Sequence, residues 1–528
     1  NLAGAGTTSL VQNNTIQNIN LTTSSGSTAG IVIGINISGT GGNITVNGNT
    51  IGSSLSNNNI VATTSTTAGI VAGIVNSASG NVAITNNNIG GVTVNGSTAT
   101  ISTSFTGINT SGGVNTITGN TIGSTTLADN VLTATSTGTT AGVISGIICS
   151  SSLTNNISNN TIQNVTNRYS GTSTSGLTRG ILASSGINTI NGNTIKNLSN
   201  LSPENGSGLS SSVIGIALSS TTAGVQTVSN NTINKLSSGS GTGTISMAGI
   251  VASPSTSSIH KVFNNTISAI SAPLNTAAVV INGIAAIGGT STYYNNMIVL
   301  GLDALGDSIT AAQEYNGILK SATTDNKFYF NSVHIAGRGV AAGTANTYAF
   351  RRTGTAIDTA KNNVFVNTRS NAAAGTATHN SYGLNATTTF TSDNNDIWGN
   401  GTGWQAGVVG ATPYNSLATW KAGTALDASS ATVNPNFISA TNLHINNATT
   451  SSLESKAVVV AGISTDIDVQ NRPGPSGSVN GGGTLPDMGA DEFDGIPVTL
   501  DMGAASLALP LNSGCRTAAD TVKVTIKN

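Results

Sequence analysis

Hydrophobic and polar residues alternate along much of the chain. The isoleucines of segment 31–37 fall at every second position, and Ile44 and Val46 repeat the pattern shortly afterwards. A period of two is typical of a β-strand, whereas an amphipathic helix has a period near 3.6. The pattern therefore predicts short strands, which are separated by variable loops rich in Ser, Thr and Gly.

A three-residue motif recurs throughout this pattern: Asn, then a small or polar residue, then an aliphatic residue. Successive copies begin 31 to 40 residues apart. Eight copies begin at Asn14, Asn49, Asn87, Asn120, Asn160, Asn193, Asn231 and Asn265, and four degenerate copies follow at Asn296, Asn331, Asn363 and Asn395. A repeat of this length indicates a solenoid or an array of small units.

A second recurrent feature is a glycine followed by an aliphatic residue. Its copies are Gly30-Ile31, Gly69-Ile70, Gly107-Ile108, Gly180-Ile181, Gly215-Ile216, Gly249-Ile250, Gly283-Ile284, Gly317-Ile318 and Gly383-Leu384. Each repeat thus holds two clear strands, and segment 59–61 suggests a short third one. A β-propeller blade needs four strands, and a leucine-rich repeat needs a leucine framework that this chain lacks.

These repeats predict an all-β fold, a right-handed parallel β-helix of about twelve coils. An Asn at the same place in every coil would donate to the neighbouring amide on one side and accept from the one on the other. We therefore expect a structural ladder that includes Asn14, Asn49, Asn120, Asn160, Asn193, Asn231 and Asn265. The alternative, a flat ligand- or ice-binding face of Asn and Thr rows, is disfavoured because loop length varies between coils.

Composition limits the partners of the chain. Charged residues make up 7% of the 528 residues, against about 25% in an ordinary domain, and the formal net charge is −1. Nucleic acid and membrane insertion are therefore not expected. Cys149 lies in an apolar run and is predicted to be a buried small hydrophobe, while Cys515 follows a change in composition. No cysteine spacing predicts a metal site, and no cofactor is expected.

The repeat stops near Trp398, and a different series of motifs follows. Segment 414–421 contains a Leu-x-x-Trp stretch, residues 435–437 read Pro-Asn-Phe, and residues 487–492 read Asp-Met-Gly-Ala-Asp-Glu. This order resembles the closing segment of bacterial secreted right-handed β-helix proteins. We expect β-helix coils over residues 1–397 and a closing, capping segment over residues 398–497.

The last 31 residues, 498–528, resemble the first strands of an immunoglobulin-like module. Similar modules follow β-helices in cell-surface adhesins of the Bacteroidetes, including gliding-type adhesins that are exported by the type IX route. The resemblance implies an extracellular location on a Gram-negative bacterium. It also implies flanking domains in a longer polypeptide and contact with the secretion machinery of the outer membrane.

Many β-helices of this class cleave polysaccharides, so the acidic residues decide whether the chain could hold a catalytic site. Residues 1–302 contain two acids, Asp129 and Glu204, and no Asp-Asp dipeptide occurs in the chain. A hydrolase needs paired carboxylates, and the four histidines are scattered. We therefore expect a non-enzymatic adhesin or stalk segment that presents loops for binding, with a surface polysaccharide or glycan as the candidate partner. The alternatives are a carbohydrate-active β-helix (lyase- or hydrolase-like), a carbohydrate-binding module and a passive spacer.

Two groups of residues are candidates for glycan binding. Basic residues concentrate in segment 320–369, and several lie about one coil apart, which predicts a basic strip for an anionic partner. Its members are Lys320, Lys327, Arg338, Arg351, Arg352, Lys361 and Arg369. Trp404 lies near Trp398 and Trp420 and is the aromatic candidate, although packing at the end of the core is the favoured role for this group.

Overall fold

Parallel strands stack into one long solenoid. The computed structural model describes residues 2–3, 8–24, 31–64, 69–96, 103–133, 141–169, 171, 173–202, 206–239, 243–273, 278–448, 451–474, 485–495, 503–509 and 523–527. Three long sheets run along the solenoid, and each strand pairs in parallel with its equivalent in the next turn. This arrangement confirms the predicted parallel β-helix.

The strands fall into three long sheets and three small ones. Sheet 1 contains Leu2–Ala3, Val32–Ser38, Ile70–Asn76, Ser104–Thr110, Val143–Cys149, Leu177–Ala183, Val213–Leu218, Ile245–Ala252, Val279–Ala286, Glu314–Lys320, Thr347–Arg352, His379–Leu384, Trp404–Val409 and the antiparallel Thr412–Tyr414. Sheet 2 contains Thr8–Gln12, Asn43–Asn47, Asn81–Thr85, Val114–Thr118, Thr154–Ser158, Ile187–Asn191, Thr227–Ser229, Ile259–Phe263, Thr290–Tyr294, Asn326–Tyr329, Asp358–Lys361 and Phe390–Asp393.

Sheet 3 contains Thr15–Ile16, Ile19–Thr23, Thr50–Gly52, Ile60–Thr64, Asn88–Gly90, Val92–Gly96, Thr121–Gly123, Val131–Thr133, Thr161–Asn167, Thr194–Asn200, Thr232–Ser238, Thr266–Ser271, Met297–Leu300, Ser332–Ile335, Val364–Asn367 and Asp396–Trp398. The small sheets pair Arg338–Val340 with Ser370–Asn371, Phe437–Ser439 with Asn442–Ile445, and Gly503–Leu509 with Lys523–Lys527. The helices are α1 (Leu417–Thr424) and the 3-10 helix Gly208–Ser210. The suggested third strand is real, because Ile60–Thr64 pairs on both sides.

Alternation along the strands fills the interior with aliphatic side chains. In strand Asn43–Asn47, Ile44 and Val46 are buried while Asn43 faces solvent. Cys149 is buried in the same core, which confirms the prediction, and burial raises the pKa of its thiol to about 11. Cys515 lies outside the described residues. Each fully buried aliphatic side chain contributes about 1.5–3 kcal/mol, so this core dominates the stability of the coils.

The predicted asparagine ladder is present in all twelve copies of the motif. Asn160 illustrates one step: its Nδ2 donates to Asn193 Oδ1 at 2.9 Å and to the Ile117 carbonyl of the preceding turn at 2.8 Å. Its backbone N–H donates to the same Asn193 oxygen at 3.0 Å. Every step from Asn14 to Asn395 repeats the amide-to-amide bond. The ladder thus satisfies buried polar groups between sheets 2 and 3.

The residue before each ladder asparagine adopts a left-handed conformation. Asn159 has φ 54° and Gly192 has φ 67°, and the equivalent positions in other turns also have positive φ. Glycine and asparagine tolerate this region better than other residues do. This requirement explains why Asn or Gly precedes the motif in nearly every copy.

Some of the Gly-aliphatic pairs identified in the sequence do not occupy equivalent positions in the structure. Register places Gly34 and Gly73, not Gly30 and Gly69, in the column that contains Gly107. Gly383 is also outside this column, since Leu384 pairs with Arg352 rather than with Phe350. A Cβ at Gly215, a true member of the column, would lie 2.6 Å from the Gly249 carbonyl oxygen and 2.7 Å from Ile233 Cγ2. These turns therefore favour glycine, because a backbone oxygen and the core residue two positions after the ladder Asn both approach the column. Later turns carry Ala349 and Ser381 at the same place.

A second polar column, which the sequence interpretation missed, runs between sheets 1 and 2. Its amides are linked in the same way: Asn115 Nδ2 donates to Asn155 Oδ1 at 2.9 Å, and Asn188 Nδ2 donates to Gln226 Oε1 at 2.9 Å. The column continues through His260, Ser291, Asn326 and Asp358. Each member lies five residues before a ladder asparagine, and this constant spacing was the available signal.

Segments after residue 398 pack both at the end and along the side of the coils. Trp420 of α1 is fully buried, and its ring stacks on Tyr382 with centroids 5.3 Å apart. Residues 485–495 instead lie along the side: Gly489 N donates to the Asn362 carbonyl at 2.8 Å, and Ala490 N donates to Ser332 Oγ at 2.9 Å. The closing role of residues 398–497 and the immunoglobulin-like identity of residues 498–528 stay predictions.

Candidate binding groove beside Trp398

A groove of about 540 Å³ lies on the outer face of sheet 3, in the last turns. Its floor is a column of outward-facing residues, His334, Val366 and Trp398, which lie opposite one another in successive strands. The alternation of the strands explains this placement, because the residue directly before each floor residue points into the core. These preceding residues are Val333, Phe365 and Ile397. The groove is within the size range of small-molecule sites in proteins.

One wall of the groove comes from residues 434–440, far from the floor in sequence. This wall includes Asn434 and Phe437, and strand Phe437–Ser439 pairs with Asn442–Ile445 to form a hairpin. Val433 N donates to Asp396 Oδ1 at 2.9 Å, which fixes the start of the wall against sheet 3.

His334 joins the hairpin to the floor. Its Nδ1 donates to the Ala440 carbonyl at 3.2 Å, and its Nε2 accepts from Thr368 Oγ1 at 2.8 Å. Burial lowers the pKa of His334 to about 4, so the ring is neutral at physiological pH. Both ring nitrogens are engaged, and this histidine therefore serves as a structural link rather than as a free base.

The remaining rim combines an aromatic ring, amides and a cation. Trp398 is half-buried, and its indole N–H has no hydrogen-bond partner among the described residues. Asn400 and Asn434 expose their side chains at the rim. Arg338 is exposed, and its backbone N–H donates to Ser308 Oγ at 3.0 Å. An aromatic face with nearby amides and a guanidinium can stack on one side of a polar ring and bond to its edge groups.

The seven candidate basic residues do not form one exposed strip. Lys320 and Arg352 do lie side by side in neighbouring strands, as their spacing predicts, but both are fully buried. They share Asp358, whose Oδ2 lies 2.9 Å from Lys320 Nζ and 2.7 Å from Arg352 Nε. Burial lowers the pKa of Lys320 while the contact with Asp358 opposes that change. These two residues were predicted to be on the surface, and that placement is wrong.

Arg369 is also buried, again contrary to the predicted strip. Its guanidinium donates to the carbonyls of Ala336, Ile309 and Ala311 at 2.9–3.1 Å and lies 4.8 Å from the Tyr315 ring centroid. Burial lowers its pKa. Backbone carbonyls rather than an external anion thus satisfy this cation.

The other four candidates are at least partly exposed but separate. Arg351 forms an ion pair with Glu314, while Lys327 faces Thr359 rather than Lys361. Arg338 pairs with Ser370, not with Arg369, and it alone of the seven lines the groove. Trp404 packs against the core, and its indole N–H donates to Ser381 Oγ at 3.3 Å.

Two acids with strongly raised pKa values do not line the groove. Burial raises the pKa of Asp396 to about 8 and that of Asp487 to about 9, values that often accompany catalysis. Both side chains are fully buried, and Asp487 accepts from Ser455 N and Phe493 N at 2.6 Å and 2.9 Å. Each of the two accepts at least one backbone hydrogen bond, so both belong to the buried polar network of the protein.

Comparison with protein-family models, with curated proteins and with solved structures found no match to this chain. Among the helices that the structure describes, none has the length and apolar character to cross a bilayer. The groove itself is therefore the basis for a functional proposal.

Proposed function

We propose that the chain is a non-enzymatic, surface-presented solenoid segment of the adhesin type, which binds a saccharide in the groove beside Trp398. The observation that carries the proposal is one aromatic face, two exposed amides and one exposed guanidinium around a single groove. Sugar rings present apolar faces for aromatic stacking and hydroxyl groups for amides.

Arg338 favours a saccharide that carries a carboxylate or a sulfate. Its guanidinium is the one charged group in the described lining of the groove. Guanidinium groups bind such anions through two parallel hydrogen bonds. The proposed ligand is thus an acidic glycan, a narrower class than the glycans in general that the sequence suggested.

Binding without cleavage is favoured by the same lining. It contains no carboxylate among the described residues, and its one imidazole, His334, is neutral and occupied on both nitrogens. Glycoside cleavage by the usual route needs two carboxyl groups across the scissile bond. Export to the surface of a Gram-negative bacterium is part of this proposal, supported by the resemblance of the C-terminal motifs.

A glycan array followed by calorimetry tests the proposal. We expect binding to an oligogalacturonate probe, and at least a tenfold loss of affinity in Trp398→Ala. Arg338→Ala is expected to weaken binding of this probe more than that of a neutral oligogalactose probe. Lys327→Ala, which removes an exposed cation outside the groove, is the matched control. No bound glycan, unchanged affinity in Trp398→Ala, or release of reducing or unsaturated ends would contradict the proposal.

A further inference from the structure

His444, Asp468 and Asp491 meet on the side of the solenoid, although they come from three different segments. His444 lies in strand Asn442–Ile445, Asp468 in the turn closed by Thr465 and Asn471, and Asp491 in segment 485–495. One donor atom from each lies within 4.8 Å of the other two. Asp491 is buried, whereas the other two side chains are partly exposed to solvent.

Backbone contacts hold the three segments together without using all of these donor atoms. Asp491 Oδ2 accepts from Ile445 N at 2.7 Å, and Ile467 N donates to the Ala490 carbonyl at 3.0 Å. Asp466 Oδ1 accepts from the backbone of Asp468 at 2.9 Å, which shapes the turn that presents the Asp468 carboxylate. The cluster is thus preorganised by the fold.

The tautomer of His444 is fixed by a neighbour. Its Nδ1 lies 2.5 Å from Asn442 Oδ1, which also accepts from the His444 backbone N–H at 3.2 Å. An amide oxygen only accepts, so Nδ1 carries the proton, and in the neutral ring Nε2 holds a lone pair. Such a hydrogen bond to the remote nitrogen is the usual support of a metal-binding histidine.

This lone pair faces a carboxylate. Nε2 of His444 lies 2.9 Å from Asp468 Oδ2, and two lone pairs at that distance repel each other. Either a proton held between the two atoms or a metal ion that binds both of them from one side relieves this repulsion. Asp491 and Asp466 add negative charge beside the pair, and Arg472, which interacts with both of these acids, is already paired with Glu492.

We propose that His444 Nε2, Asp468 and Asp491 bind a divalent transition-metal ion such as Zn²⁺, with water at the remaining position. Zinc takes imidazole nitrogen and carboxylate oxygen ligands at about 2.0–2.2 Å in tetrahedral sites, which places two ligand atoms about 3.4 Å apart. His444 Nε2 and Asp468 Oδ2 therefore move slightly apart from their 2.9 Å spacing when the ion binds. The ion joins the hairpin that walls the groove to two segments that lie along the coils. The proposal does not depend on saccharide binding.

Calorimetric titration of the full chain, freed of metal by chelation, with zinc chloride tests this site. One site per chain is expected, with at least tenfold weaker binding in Asp468→Asn and in His444→Ala. Asp468→Asn changes a partly exposed carboxylate and is expected to fold even where His444→Ala does not. The matched control, Asp129→Asn, alters a partly exposed acid in an early turn and is expected to bind zinc like the unmodified chain.

Cobalt provides an independent readout, because Co²⁺ bound at a tetrahedral site absorbs visible light. The expected absorption band disappears on addition of zinc and is absent in Asp468→Asn. No heat of binding at millimolar zinc would show that only a proton bridges His444 and Asp468. That outcome, binding of calcium as tight as that of zinc, or unchanged zinc affinity in both variants would overturn the proposal.

Discussion

Early and late turns of the solenoid share one backbone plan but differ in what fills it. At the last inward position of the sheet 1 strands, the middle turns carry Ala183, Leu218 and Ala252, while later turns carry Lys320 and Arg352. At the first inward position of the sheet 2 strands, early turns carry Ile44 and Val82, and a late turn carries Asp358. The coil therefore accepts apolar, amide or charged side chains, provided that buried polar groups find partners.

Aromatic packing separates the two regions as well. Early turns have aliphatic cores with Phe105 as the large exception, whereas late turns pack aromatic rings against one another. The late rings are Tyr293, Tyr315, Phe328, Phe350, Phe365, Tyr382, Phe390 and Trp420. The amide ladder between sheets 2 and 3 is common to both regions, so it is the element that keeps the turns in register while the core changes.

The largest expected effect comes from breaking the buried ion pairs of the late turns. Asp358→Ala leaves Lys320 and Arg352 buried without their shared carboxylate, and loss of one partner of a buried ion pair costs about 3–5 kcal/mol. Chemical denaturation should show this loss in the free energy of unfolding. The exposed acid Asp307, replaced by Ala, serves as the control and should change it little.

A triple variant sharpens the same comparison. Combining Asp358→Val with Lys320→Ala and Arg352→Leu installs the residue types of the earlier turns. We expect it to recover most of the stability lost in Asp358→Ala, since apolar replacement of a buried ionic group is often neutral or favourable. A triple variant that is less stable than Asp358→Ala would show that the two regions are not interchangeable.

The ladder of the early turns is the next most sensitive element. In Asn193→Ala, the backbone and side-chain N–H groups of Asn160 lose their shared acceptor. Each buried unsatisfied group costs about 1–3 kcal/mol, so we expect a loss of about 2–4 kcal/mol in the free energy of unfolding. Asn81→Ala removes an exposed amide pair and is the matched control. Equal losses in the two variants would show that a buried ladder bond stabilises the protein no more than an exposed amide pair does.

The contrast between ladder and basic strip explains what the sequence could predict. The ladder was predictable because one residue type recurs at one place in every turn, so its neighbours in space follow from the period. Lys320 was misplaced although a signal existed: it lies two residues after Ile318, and a period of two puts both on the inner face. The prediction gave the charge of Lys320 more weight than the alternation of its strand, because buried lysines are rare.

The repeat does not predict the groove or the three-residue cluster. The alternation of its strand places Trp398 on the outer face. The wall that completes the groove is formed by residues 434–440, which follow no period. His444, Asp468 and Asp491 likewise meet only through irregular segments. Contacts of this kind depend on the three-dimensional path of single loops, and a single sequence carries no signal for them.

A buried acid of the late turns should make stability depend on pH. Asp396 is fully buried, its Oδ2 has no partner among the described residues, and burial raises its pKa to about 8. Between the ordinary carboxyl pKa of 3.8 and about 8 the folded state holds a proton that the unfolded state has lost. Stability therefore falls as pH rises through this window.

Asp396→Asn isolates this contribution, since asparagine keeps an acceptor for Val433 N. We expect the variant to gain more than about 1 kcal/mol relative to the unmodified chain at pH 9. The gain should shrink toward pH 4, as followed by urea denaturation across the range. A difference between the two proteins that does not vary with pH would assign the pH dependence to other groups.

The smallest effect on stability is expected for a surface ion pair of the early turns. Arg168 and Asp129 form an ion pair on the surface, with 43% and 32% of their side chains exposed. Solvent screens such pairs, so Arg168→Ala should change the free energy of unfolding by less than about 0.5 kcal/mol. The comparison with Asp358→Ala then measures what burial adds to an ion pair within one solenoid. A loss in Arg168→Ala as large as that in Asp358→Ala would mean that position along the coil, not burial, decides how much a charge matters.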